Sequence, residues 1–224
     1  MWERVDLRAT LTAECAAIGS DAAGLDESRL DLPTRLPRWS VRELLGHVWR
    51  DMDRLRWSLA RPAPERADAD AISYWRSYDP VEGPKATADR AIEAAKGFVD
   101  GAELLASFDA NWREGIEAAS AVPDDRLVET WGPAMRLDDF LATRVLELAV
   151  HRLDLADALG RPGELDHDAA IVTGRILVGL LGAAPHGVEW TPVAFAEKAT
   201  GRHPLTLDEI ETLGLLADRF PLIR

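Results

Sequence analysis

Apolar positions in this chain recur at helical spacing, and strict alternation is scarce. From residue 5 to 23 alanine and leucine dominate and proline is absent, which predicts a first helix. The stretch LDLPTRLPRW holds two prolines and reads as a loop. Ser40 then stands at an N-cap position, with Glu43 three residues later to complete a capping box. Trp39 and Leu44 are placed to form a hydrophobic staple across that start. A helix over 41–60 follows, with Val41, Leu44, Leu45, Val48, Met52, Leu55 and Leu59 on one stripe. After the loop RPAPERADAD come a short helix around Trp75 and a helix over 87–97. Asp100 and Glu103 cap a long helix over 101–121, which VPDD ends. LVETWGPAMRL reads as an extended connector. A helix over 137–159 stops at Gly160 and Pro162. Two more are expected at 167–181 and 207–217.

Four long helices joined by substantial loops predict an all-α bundle. The expected division is a helical bundle over 1–161 and a short, mostly helical C-terminal extension over 162–224 packed on it. At 224 residues and 47% apolar the chain can bury a sizeable core and is not a disordered sequence.

A formal net charge of −13 argues against nucleic acid or an anionic membrane surface as partner, because both demand basic patches. It favours a small-molecule or protein partner. Cys15 is the single cysteine, so disulfides do not hold the fold, and a reducing cytoplasm is the expected location. The segment MWERVDLRATL carries charges throughout and does not read as a signal peptide. No apolar run approaches the roughly 20 residues of a membrane-spanning helix.

The stretch ELAVHRLDLADALG changes this picture. Glu147 and His151 are one helical turn apart, and Arg144 and Asp154 extend the same stripe to either side. At 3.6 residues per turn the four occupy less than about a quarter of the circumference. Apart from Arg152 and Asp157, the rest of the helix is apolar nearly all round. The stripe is therefore either a narrow solvated face or the wall of a cleft, and the pattern favours neither.

A buried histidine and carboxylate need compensation, and a divalent metal ion supplies it. Two ligands one turn apart need a third from elsewhere. His47, beside Gly46 in LLGHVWRDMDR, is the best candidate, although it sits on the flank of its helix's apolar stripe, where a half-exposed histidine is the alternative. Gly46 would admit close approach by another helix or a ligand. Asp154 could orient a ligand histidine. Arg144, Arg50 and Arg54 could clamp a substrate carboxylate. Cys15 lies in an alanine-rich helix and is a poor nucleophile candidate. His167, His186 and His203 lack ligand spacing. The eight tryptophans read mostly as core or interface anchors, and nothing selects Trp49, Trp57 or Trp75 for a pocket.

RWSVRELLGHVWRDMDR resembles the first motif of the mycothiol-dependent maleylpyruvate isomerase family. TRVLELAVHRLDLADALGRP is similar to its second motif, an arginine, then Glu-x-x-x-His, then Asp-x-x-x-Ala, and ATGRHPL looks like a recurring tail. The resemblance implies a DinB-like four-helix bundle with a metal site formed by His47, Glu147 and His151. It implies a divalent ion, zinc being the expected one, with an open position for water or for mycothiol, a sugar thiol of actinobacteria. The implied chemistry is addition of a thiolate to a double bond conjugated with a carbonyl, rotation about the carbon–carbon bond, and departure of the thiol. The resemblance leaves conjugation or transfer by the same thiolate as further expected uses. Arg144 and Asp154 are the expected catalytic residues beside the metal. The chain after Gly160 is shorter and more helical than the mixed C-terminal domain of the fuller isomerases, so the metal site transfers further than the substrate. The expected partners are a small electrophile and a low-molecular-weight thiol, in a monomer or homodimer. The alternative is a metal- or thiol-binding helical module without turnover.

Overall fold

The computed structural model describes residue 2 and residues 4–79, 81–130 and 132–223. Helices α1 (Leu7–Ala22), α3 (Val41–Leu59), α6 (Gly101–Ser120) and α7 (Leu137–Ala158) form the bundle. Around its ring α1 packs on α6 and α7, and α3 packs on α7 and α6. The all-α expectation therefore holds for the described residues, whose one sheet is a two-stranded ladder.

Local signals explain most of the elements. At the start of α3 the Ser40 hydroxyl accepts from the Arg42 N–H at 3.2 Å, and the Glu43 carboxylate accepts from the Ser40 N–H at 2.8 Å. Asp100 caps α6 by accepting from the Glu103 N–H at 2.8 Å. At the end of α7, Gly160 takes a φ of 65°, Arg161 N–H reaches Ala156 O at 2.8 Å and Gly160 N–H reaches Asp157 O at 3.0 Å. That is the Schellman arrangement, which satisfies carbonyls the helix leaves over. The extended connector is β1 (Leu127–Val128) paired antiparallel with β2 (Met135–Arg136), while its Trp131 lies outside the described residues.

Four elements differ from expectation. A single turn, α2 (Glu27–Leu30), interrupts the first loop under an Asp26 cap. A short α4 (Ala71–Arg76) follows as expected, but α5 (Glu82–Lys96) begins five residues before Thr87. Asp79 accepts from the Val81 and Glu82 N–H groups, and Pro84 falls in the first turn, where its missing N–H costs nothing. After α8 (His167–Leu181), a further helix α9 (Pro192–Ala199) carries a legible signal, a Thr191 cap followed by proline at the first helical position. The last helix, α10 (Leu207–Leu213), gives way at Gly214 to a 3-10 helix over Gly214–Arg219.

Helix α7 is buried on nearly every side, as its sequence requires. Helix α8 covers it from outside, and α5 lies against α3. Gly46 permits that second contact, since a Cβ there would sit 3.0 Å from the Ala95 Cβ and N and 3.1 Å from the Ala91 O. The close approach is made by a helix. Among the described residues no helix is long and apolar enough to cross a membrane.

Candidate metal centre

The stripe on α7 faces inward. Arg144 is 1% exposed, Asp154 0% and His151 7%, so the solvated-face reading is excluded. Across from it, α3 places His47, which is 4% exposed despite its flank position. Its burial comes from outside its own helix. Trp39 lies against both histidines, with ring centroids 4.9 Å from His47 and 5.7 Å from His151, and the histidine rings meet edge to face at 4.7 Å.

One carboxylate oxygen joins the two rings. Glu147 Oε2 lies 3.6 Å from His47 Nε2 and 3.2 Å from His151 Nε2. The donor atoms of His47, Glu147 and His151 all lie within 4.8 Å of one another. Neither ring nitrogen of His47 has a hydrogen-bond partner among the described residues. Burial alone would raise the Glu147 carboxyl, but the two imidazoles beside it, His151 and His47, hold it well below the usual range. Burial alone would lower His151, and the Asp154 and Glu147 carboxylates instead hold it up at about 9.

Asp154 sits behind His151, outside the cavity described below, and accepts from the His151 Nδ1–H at 3.0 Å. Its carboxyl is kept well below its ordinary value, chiefly against burial, by Arg202 and His151. An ionised carboxylate only accepts, so the Nδ1 of His151 keeps a proton whether or not Nε2, which is turned toward Glu147, carries one as well. Arg202 grips Asp154 with Nε at 3.1 Å and Nη2 at 2.8 Å, and Arg35 adds Nε at 2.7 Å. Arg144, one turn before Glu147, pairs through Nη1 with Asp51 Oδ1 at 2.8 Å. Asp51 Oδ2 lies 3.7 Å from His47 Nε2, so the α3 pair His47 and Asp51 mirrors the α7 pair Glu147 and His151.

A cavity of about 320 Å³ opens beside these groups. His47, Glu147 and His151 form part of its wall, and Trp39, Tyr74, Trp75 and Tyr78 supply an aromatic side. Among the described residues, seven cationic side chains line it (Arg38, Arg50, Arg54, Lys85, Arg90, Arg144 and Arg202) against the carboxylates of Asp51 and Glu147. Burial, then the charge of Arg90, pulls Arg50 down to about 10. Burial also brings Arg54 to about 10, with Tyr74 opposing and Arg144 assisting. An acidic chain thus encloses a cationic pocket.

Residues 11–156 match the family model of the mycothiol maleylpyruvate isomerase N-terminal domain. The chain belongs to this family. The matched span contains His47, Glu147 and His151 and ends before Arg202. Two proteins of Mycobacterium tuberculosis, "Uncharacterized protein MT0041" of strain CDC 1551 / Oshkosh and "Uncharacterized protein Rv0036c" of strain ATCC 25618 / H37Rv, are each 28% identical to this family member, over 86% of this chain and 79% of theirs. No solved structure matches the chain significantly.

In this family member the sequence alone points to every residue of the triad and to the arginines at positions 50, 54 and 144. That reading misses Asp51, for which the His-x-x-x-Asp spacing is available, and Arg202, which stands inside the quoted ATGRHPL tail. Arg35 had no local signal. Of the tryptophans weighed for a pocket, Trp75 lines it. Trp49 instead packs against Phe98 at 5.2 Å and donates to Ser107, and Trp57 carries Arg61 over its ring at 3.7 Å. Cys15 is fully buried, and burial, with Glu14 beside it, pushes its thiol well above the ordinary value.

Proposed function

We propose that this protein is a metal-dependent enzyme that uses a low-molecular-weight thiol, mycothiol, to isomerise or conjugate a small carboxylated electrophile. The observation that carries the reading is the triad of His47, Glu147 and His151 converging on the wall of a cationic, aromatic cavity.

The residues fit a metal. Tetrahedral ligands about 2.0–2.1 Å from zinc stand roughly 3.3 Å apart, and the spacings through Glu147 Oε2 are 3.2 and 3.6 Å. The buried, unpartnered nitrogens of His47 call for such an ion. Two imidazoles and one carboxylate suit zinc and leave a coordination position open. When bound, the ion would hold an incoming thiol as thiolate, the nucleophilic form.

The chain's own residues do the remaining work. Arg54, Arg50 and Arg144 bind the electrophile's carboxylate, for which planar guanidinium groups are matched. The local cation cluster draws an anion to a protein whose net charge of −13 would otherwise repel it. The Trp39, Tyr74 and Trp75 wall limits water around the reacting carbon. Asp154 is a positioning residue that keeps His151 in one tautomer. Cys15, buried in α1, leaves the thiol to come from solution.

Calorimetry of the zinc-loaded protein with mycothiol, followed by turnover assays on maleylpyruvate and other unsaturated keto acids, tests the reading. Binding with proton release is expected, as is turnover that disappears in Glu147→Ala. Arg54→Met is expected to raise KM for the acid without changing metal content. Zinc-loaded protein that binds no mycothiol at millimolar concentration refutes the enzyme assignment.

A further inference from the structure

We propose that the C-terminal extension is built into the metal centre: Arg202, together with Arg35 from the loop before α3, positions His151 through Asp154, so that metal binding and docking of the segment around α9 strengthen each other. The inference rests on the metal reading above and extends it to residues beyond the 11–156 family match.

The geometry is a buried relay. Asp154 is fully buried, and its two oxygens accept from four N–H groups: His151 Nδ1, Arg35 Nε, and the Nε and Nη2 of Arg202. A carboxylate offers about four acceptor sites, so the set is saturated and the group has no rotational freedom left. Glu197 of α9 takes the other end of Arg35, at 2.7 Å from Nη1. Two carboxylates and two guanidiniums are therefore interleaved from three separate parts of the chain.

The backbone of the tail aims Arg202. Gly201 takes a φ of 73°, Arg202 N–H reaches Glu197 O at 2.7 Å and Gly201 N–H reaches Lys198 O at 3.2 Å. This reversal at the end of α9 turns the next side chain back toward α7. Arg202 Nη1 also donates to Thr200 O at 2.9 Å, so the guanidinium is fixed at both ends before it meets Asp154.

A ligand histidine whose far N–H is anchored presents its other nitrogen in a set direction, and loss of such an anchor typically costs 10–100-fold in metal affinity. Here the anchor is itself anchored by the tail. By linkage, whatever the docked tail adds to metal affinity, the metal must return to tail docking by the same factor.

The test uses the full chain. Zinc affinity is measured by competition with a chromophoric chelator for wild type, Arg202→Met, Arg35→Met and Arg202→Lys. The cobalt-substituted forms are compared by visible absorption, which reports ligand geometry. Hydrogen exchange over residues 192–206 is followed with and without zinc, in wild type and in Asp154→Asn. Expected results are zinc binding weakened about tenfold or more in both methionine variants, partial recovery in Arg202→Lys, an altered cobalt spectrum, and zinc-dependent slowing of exchange in wild type but not in Asp154→Asn. Folded methionine variants with wild-type zinc affinity and cobalt spectrum would overturn the proposal, as would exchange in wild type that zinc leaves unchanged. That last measurement decides the matter even if the arginine variants fail to fold. Wild-type protein that takes up no zinc at all would instead overturn the metal reading, and this inference with it.

Discussion

Glu14 offers the sharpest test of the energetics, because it is a charge-bearing group that the fold buries without a hydrogen bond. It is 0% exposed on α1, and neither carboxylate oxygen has a hydrogen-bond partner among the described residues. Its nearest cation, Arg152 Nη1, stands 4.0 Å away and is engaged through Nε with Asp21 at 3.0 Å. Burial raises the carboxyl from 4.5 to about 7, Arg152 opposes, and the Asp166 and Asp21 charges add to the rise. The folded state therefore keeps a proton that the unfolded chain releases between pH 4.5 and about 7. Stability falls as pH climbs through that window and is level on either side. At 1.36 kcal/mol per pH unit the whole loss is about 3 kcal/mol, of which about 2–3 kcal/mol falls between pH 5 and pH 8. Glu14→Gln removes the titration but keeps the shape. The stability difference between variant and wild type should thus move by that amount in the variant's favour from pH 5 to pH 8, whatever the amide itself costs. At about 2–4 °C per kcal/mol for a chain of this size, calorimetric melts in the two buffers should show a relative gain of roughly 5–10 °C. Melting temperatures of the two proteins that run parallel across pH 5–8 would show that Glu14 is not desolvated as described.

Elemental analysis should find one equivalent of divalent metal in purified wild type and almost none in His151→Ala; equal content in both would remove the triad as ligands. Ser40→Ala deletes one arm of the α3 capping box and should cost about 1 kcal/mol, seen as a melt lowered by a few degrees, and an unchanged melt would deny the cap its role. Gly46→Ala forces a Cβ to within 3.0 Å of the Ala95 Cβ and backbone. Overpacking of this kind costs about 1–3 kcal/mol, and denaturant titration that finds wild-type stability would mean α5 can move aside freely.

Much of the molecule follows from neighbours in sequence. The Ser40–Glu43 box, the Asp100 cap and the Gly160 stop are each decided within a few residues, because capping and termination satisfy the helix's own leftover N–H and C=O groups. The alignment of Arg144, Glu147, His151 and Asp154 is equally local, being a consequence of 3.6 residues per turn. Even the missed start of α5 and the missed α9 had local causes, in Asp79 and in Thr191 followed by Pro192.

What the chain's order alone did not decide is where those local products point. Whether the α7 stripe meets water or a cavity depends on α3 and on Trp39, which stands more than a hundred residues away in sequence. His47 looks half-exposed on its own wheel and is buried by rings from elsewhere. Arg35 and Arg202 reach Asp154 across sequence separations of 119 and 48, which no periodic pattern encodes. The sign of the cavity is the clearest case. Net charge is a sum without positions, so −13 is compatible with seven cations from the described residues around one pocket, and only the packing of three helices and two loops brings them there.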